Sequence, residues 1–394
     1  MSPSQAKTAE KHPDYGLVIL IAVLIGFGII MQFSASYAVT LGHPYYWIIK
    51  HLIMITIGLA AMIITVNIDY HVWQTWAIPI MAIALLMLIA LPIIGEEGVG
   101  GARRQLFHGS IQPSEIAKLA IIIYMAAWLA SKEDKIQQVT YGLLPFSVIL
   151  AAFLVLILIQ PDISTSVLIA MTALSMLIIA GAEISQLAIL MGVIGVIFSL
   201  TILKLAYAQN RVSVFQHSFL KPWESPDRQV RFGYEALHSG GLFGKGLTNS
   251  IYKLPGQLPV VHSDSIFAII GEELGLAGAL FVVALFLFLA YKGTRIALKA
   301  PDNFGRLLAF GITAWLVLQA FIHIAVVTVT FPNTGIPLPF ISYGGSSMVI
   351  ILASIGILLN ISRDGAAKFN ASSLFRRRHR RSRVSRSNRR RRAS

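Results

Sequence analysis

The sequence predicts an all-α integral membrane protein with about ten transmembrane helices and a large extracytoplasmic loop between spans 7 and 8. Three observations predict it. Hydrophobic residues make up 56% of the 394, above the roughly 45–50% of soluble domains. Mean hydropathy is +0.71 and charged residues are only 13%, too few to clothe a water-facing surface. The apolar residues fall in runs of about 20, the length of helix that crosses a bilayer core. The net charge of +14 would suit a nucleic-acid binder, but the apolar content excludes a soluble one and no nucleic-acid partner is expected. Cys is absent, so there is no disulfide, thiolate metal site or Cys nucleophile.

The first span covers 16–36. It is full span length and its N-terminal flank mixes Lys7, Glu10, Lys11 and Asp14, unlike a cleavable signal peptide. Spans 2 and 3 cover 47–66 and 75–94. Span 4, 115–131, follows Pro113, which suits a first helical turn, and Ser114, which suits an N-cap. Spans 5 and 6, 143–160 and 163–182, meet at a tight turn in QPD (160–162). Span 7 covers 185–207, span 8 covers 265–290 and span 9 covers 307–330. Span 10, 342–361, follows FPNTGIPLPF, where Pro332, Pro337 and Pro339 prevent regular helix. Gly344, Gly345, Ser346 and Ser347 then permit close packing or a broken helix end.

Ten spans place both termini on one side. Lys292, Arg295, Lys299 and Arg306 share that side with Lys132, Lys135 and the C-terminal tail, so the positive-inside rule makes it cytoplasmic. The chain divides into a cytoplasmic segment 1–14, a membrane domain 15–362 that includes the outer loop 208–264, and an Arg-rich cytoplasmic tail 363–394. That tail holds 13 of the 32 Lys and Arg and one acid, Asp364. Without it the body carries +2. The tail reads as disordered and suited to anionic lipid. Arg103 and Arg104 fall on the outer side, against the rule. The loop 208–264 carries Arg211, Trp223 and the glycine cluster SGGLFGKG (239–246), and reads as glycine-broken helices lining a cavity.

Ionisable residues at membrane depth are costly, hence functional candidates. Glu115 and Lys118 are three apart on one helix face. They are either a structural ion pair or a substrate contact. Asp162, after Pro161, is either a helix cap or a functional carboxylate. His323 in span 9 reads as a hydrogen-bonded core histidine. His262 and Asp264 stand at the mouth of span 8. Glu272 is eight residues further, about 12 Å along a helix, too far for a glycosidase-type carboxylate pair. Asp264 is thus a lone carboxylate facing an outer cavity, or an N-cap of span 8. No metal site is visible.

Four motifs stand in order around the spans: GARRQL with QPSEIAKL, QPDIST, SGGLFGKGL leading to HSDSIFAIIGEELG, and PLPFISYGGSS. In these the chain resembles the SEDS family of cell-wall polymerases (FtsW/RodA/SpoVE), over about residues 14–362. IIMQFSAS, IGEELG and the basic tail resemble its division branch, FtsW, more than its elongation branch, RodA. It departs from the pattern at Gln105, Ser164 and Ser265.

The resemblance implies a peptidoglycan glycosyltransferase that polymerises lipid II at the outer face of the cytoplasmic membrane during cell division. A class B penicillin-binding protein and other division proteins would be its partners. Asp264 matches the family's essential aspartate in H-x-D and would be the catalytic residue. Arg103, Arg104, Lys118, Arg211, His262 and Asp162 are candidates for the substrate cavity and its pyrophosphate. No covalent cofactor is implied; a divalent cation such as Mg2+ or Mn2+ is compatible with the chemistry. A lipid II flippase is the rival class, but the unusual residues cluster at the outer face and no inverted repeat is seen.

Overall fold

A computed structural model of the protein describes residues 13–37, 45–97, 103–105, 112–132, 136, 138 and 143–365, without the side chains of 96, 97 and 103–105. The chain opens with α1 (Tyr15–Tyr37), α2 (Tyr46–Asn67), the short α3 (His71–Thr75) and α4 (Ala77–Ile94). Two short antiparallel strands follow, β1 (Glu96–Glu97) and β2 (Arg103–Gln105), with Glu96 opposite Gln105. This small ribbon is a local addition to an otherwise all-helical fold, as the sequence predicts. The sequence between its strands holds Gly98, Gly100 and Gly101, a composition that favours chain reversal. The helices α5 (Pro113–Ser131), α6 (Leu144–Ile159), α7 (Ile163–Ile179) and α8 (Ile184–Lys204) come next.

After α8 the chain turns at Leu205 into α9 (Ala206–Leu220), a 3-10 turn at Pro222–Glu224 and α10 (Arg228–Ser239). Much of the long loop is therefore helical. Along α10 the buried residues are Val230, Gly233 and Ala236, three apart, and this face packs on α11 (Ile266–Lys299). The chain ends its described part with α12 (Asn303–Val327) and α13 (Ser346–Gly365).

By length and composition α1, α2, α4, α5, α8, α11, α12 and α13 suffice to cross a membrane. The apolar helices α6 and α7, of 16 and 17 residues, are somewhat shorter. At 1.5 Å per residue they fall just short of a core about 30 Å thick. The most enclosed helices are α5 and α13, whereas α8 and α4 expose most of their apolar surface. Exposed Ile, Leu and Val on such helices suit contact with lipid tails. The centre is α12, packed against α11, α5 and α7.

Several helix ends differ from the sequence expectation, each for a local reason. The N-cap of α5 is Gln112, with Pro113 in the first turn, and the Ser114 hydroxyl is buried without a partner. Asp302 starts α12 earlier than expected by accepting the Gly305 N–H at 2.8 Å. α13 starts later because the side chain of Ser342 and the backbone of Tyr343 bond to Ser263 and His262.

The sharpest departure lies inside α11. Gly275, at φ 67°, breaks the helix, and the loop after α10 completes it. Leu276 N–H donates to Gly241 O at 2.9 Å and Ala277 N–H to Leu242 O at 3.1 Å. In return Lys245 and Gly246 N–H donate to the carbonyls of Glu272 and Glu273 at 2.9 and 3.0 Å. Two interrupted helical bonds are thus replaced by four bonds to the loop, so the two N–H groups and two carbonyls they involved are all partnered. Gly244 allows the approach: a Cβ there would lie 2.2 Å from Glu273 O. Two ion pairs fasten the same junction. Lys245 lies 2.8 Å from Glu272 and Lys253 lies 3.0 Å from Glu273, whose carboxylate also accepts the Ser34 hydroxyl of α1. At the opposite end, Lys292 pairs with Asp14 at 2.9 Å and Tyr70 hydrogen-bonds Asp302.

Candidate active site

The site forms where the start of α11 meets the segment between α12 and α13. The N-cap of α11 is Ser265, so Asp264 does not take the capping position. Asp264 is half-buried. It borders a water-sized cavity with Gln229, Ser265 and Asn333 around it and Val326 and Val327 below. Gly335, at φ 67°, abuts the carboxylate itself: a Cβ on it would lie 3.1 Å from Asp264 Oδ2. Only a residue without a side chain leaves that carboxylate room and adopts that backbone conformation freely.

The rest of HSD is fixed from three sides. The ring of His262 stacks on Trp47 of α2 at 3.9 Å between centroids. Its carbonyl accepts Gln32 Nε2 at 2.6 Å and Tyr343 N–H at 2.9 Å. Ser342 Oγ donates to Ser263 O at 2.6 Å. Burial pushes the His262 imidazole down to about 4, so it is neutral at physiological pH. The motifs HSD and PLPFISYGG, far apart in sequence, are one structural unit.

Residues 333–337 run without regular secondary structure, yet four of their carbonyls are taken by side chains. Asn333 O accepts Arg211 Nη1 of α9 at 2.8 Å. Thr334 O accepts the Ser164 hydroxyl of α7. Ile336 O accepts His323 Nδ1 at 2.7 Å and Pro337 O accepts Gln319 Nε2 at 2.9 Å, both from α12. The Asn333 amide donates to Asp227 at 3.1 Å and to Gln229 at 3.2 Å. Gln229 in turn donates to Ser265 Oγ at 3.3 Å.

Asp264 borders the cavity with Arg211 tied to the same rim through Asn333, whereas His262, two residues earlier, packs on Trp47 and Tyr343. The structure sets two other candidates apart. Lys118 lies inside the bundle, 2.8 Å from Glu115 and 3.1 Å from Gln319 Oε1, with the Trp315 ring centre at 5.3 Å. Asp162 is buried as the N-cap of α7, accepting Thr165 N–H at 3.1 Å and its hydroxyl at 2.8 Å. Arg103 and Arg104 lie on β2, but their side chains fall outside the described residues, as does the tail beyond Gly365. Sequence reasoning missed Asn333, Gln229 and Gln319, because neutral polar residues cost less to bury than charges and so are not flagged. One signal was available: a proline-rich stretch without helix leaves its carbonyls in need of donors.

Chemically, the arrangement offers one carboxylate at a small cleft whose lining is largely apolar, with two amides and one hydroxyl beside it. Among the described residues no cluster of three or more His, Asp or Glu is set to hold a metal ion.

Residues 15–366 match the family model FtsW/RodA/SpoVE, described as cell cycle protein. The chain is 38% identical over 358 residues to a probable peptidoglycan glycosyltransferase FtsW of Geobacter sp. (strain M18), covering 88% of this chain and 96% of that one. It is 39% identical over 369 residues to the stage V sporulation protein E of Bacillus subtilis (strain 168), covering 90% and 98%. Among solved structures, it is similar to a chain of a peptidoglycan synthase complex that coordinates polymerization and crosslinking, with TM-score 0.74, 23% identity and coverage of 90% and 98%. The rod shape determining protein RodA of Thermus thermophilus superimposes with TM-score 0.66, 24% identity and coverage of 89% and 97%.

Proposed function

The chain belongs to the FtsW/RodA/SpoVE family, and from that premise we propose that it is a peptidoglycan glycosyltransferase of cell division, polymerising lipid II into glycan strands. The observation that carries the chemistry is the half-buried Asp264 carboxylate, one residue before the N-cap of α11, bordering a small cavity and abutted by Gly335. The 4-hydroxyl of an incoming GlcNAc attacks the anomeric carbon of the growing strand's terminal MurNAc. Asp264 takes the hydroxyl proton as general base. The new C–O bond forms as the bond to undecaprenyl pyrophosphate breaks, and that group leaves with its electron pair. An α-linked donor becomes a β-linked product, so a single inverting displacement needs one base and no second carboxylate.

The leaving pyrophosphate needs positive charge. Arg211, Arg103 and Arg104 are the proposed source. The Glu115–Lys118 pair is assigned to holding the bundle, and Asp162 to capping α7. The described residues do not form a metal-binding set, so a divalent cation is proposed only as a counter-ion carried with the pyrophosphate. The face holding Lys292, Arg295, Lys299 and Arg306 is proposed as cytoplasmic, with both termini there, which turns Asp264 outward. The setting is the cytoplasmic membrane, the partner a class B penicillin-binding protein. The fold likeness to a synthase that couples polymerization with crosslinking supports that pairing.

The test is purified protein with labelled lipid II, with and without a class B transpeptidase. Long glycan strands are expected from the native chain, and Asp264→Asn should lower their rate by about 10²–10⁴-fold while folding normally. Near-native synthesis by that variant would remove Asp264 as base. Leaflet exchange of lipid II without polymer would favour transport.

A further inference from the structure

We infer that His323 and Gln319 of α12 are positioning residues for the reaction, acting through the 333–337 segment, which lines the cavity at Asn333 and abuts Asp264 at Gly335. The inference rests on the glycosyltransferase reading above. His323 and Gln319 are four apart on one helix face, and they hold adjacent carbonyls, Ile336 O at 2.7 Å and Pro337 O at 2.9 Å. Because a carbonyl only accepts, His323 Nδ1 carries the proton and the imidazole is the Nδ1–H tautomer. One residue before this clamp, Gly335 abuts the carboxylate.

Gln319 is itself held. Its Oε1 accepts Lys118 Nζ at 3.1 Å and Trp315 Nε1 at 2.9 Å, and Lys118 is fixed by Glu115 at 2.8 Å. All of these groups are fully buried. A continuous buried relay therefore runs from the Glu115–Lys118 ion pair through Gln319 to the wall of the site. This gives the ion pair a consequence for chemistry without substrate contact. The segment has no helix or strand ladder of its own, so loss of these donors frees it to shift. A displacement of about 1 Å at a reacting group costs of the order of 10²-fold in rate.

The test uses the full chain with His323→Phe, which keeps a ring and removes the donor, and Gln319→Met, which keeps length and removes both amide groups. His323→Asn restores the donor, because Asn Nδ2 stands the same number of bonds from Cα as His Nδ1. The expected result is a fall of the order of 10²-fold in saturated polymerisation rate for His323→Phe and Gln319→Met. The lipid II concentration for half-maximal rate should stay unchanged, and His323→Asn should recover the rate. Hydrogen–deuterium exchange across 333–338 should quicken in the first two variants and return to native in the third. Native exchange and native rate in His323→Phe would overturn the inference. So would a His323→Asn that is as slow as His323→Phe. A native chain that makes no glycan would sink the glycosyltransferase reading instead, and the exchange experiment would still decide whether the clamp exists.

Discussion

Gly335 shows what a single missing side chain does at this site. Its φ of 67° lies in the left-handed region, and a Cβ would press on Asp264 Oδ2 at 3.1 Å. Gly335→Ala thus meets both a conformational cost of about 1–2 kcal/mol and a contact tighter than a carboxylate readily tolerates. The variant should reach the membrane and melt within a few degrees of native, yet polymerise lipid II at least about tenfold more slowly, since about 1.4 kcal/mol at the transition state is tenfold. Side-by-side melting and polymerisation assays check it; a native rate would mean that the carboxylate moves aside without consequence. Asp264 itself was legible in the sequence because a carboxylate beside apolar spans is rare. Gly335 was not, since a glycine between prolines reads as an ordinary turn.

At the scale of elements, the junction of α11 with residues 240–253 depends on buried charge. Lys253 is 3% exposed and Glu273 is 0% exposed, so each is costly without the other. Lys253→Met leaves a buried carboxylate with only Ser34 and the Ser250 N–H to solvate it. Removing one member of a buried pair costs about 3–5 kcal/mol, whereas replacing both is often neutral. Lys253→Met should lower the thermal midpoint markedly, and Lys253→Met with Glu273→Gln should recover much of it. A double-mutant cycle by thermal melting measures the coupling; additive losses would show that the pair contributes no specific interaction. The sequence predicted helices broken by glycine in this region but placed the break in the loop. Gly275 was hidden because IGEELG reads as unbroken helix until the loop that borrows its hydrogen bonds is placed beside it.

For the whole molecule, the apolar runs and the clustered charges were enough to predict a membrane bundle, because both follow from the solvent rather than from tertiary detail. What composition cannot specify is which helices are central: α12 is no more apolar than the lipid-facing α8. The body carries +2 and the chain +14, so most of the electrostatic attraction to a membrane surface belongs to the tail. A chain lacking 376–394 should polymerise lipid II at the native rate but no longer retain anionic lipid through purification at low salt. The full chain should release that lipid at about 1 M salt, where the Debye length is about 3 Å. Equal lipid retention by both forms would remove this role from the tail.

The break at Gly275 bears on how the protein is made. If it kept this break when inserted alone, α11 would carry two bare N–H groups and two bare carbonyls into lipid, each costing several kcal/mol. Their partners, residues 241–246, emerge from the ribosome before α11 does. The loop is therefore available beside α11 when the helix takes its broken form. Residues 240–299 are then expected to insert as one hairpin-like unit rather than as a loop followed by a helix, and the order of synthesis supplies two acceptors and two donors ahead of the α11 groups that need them.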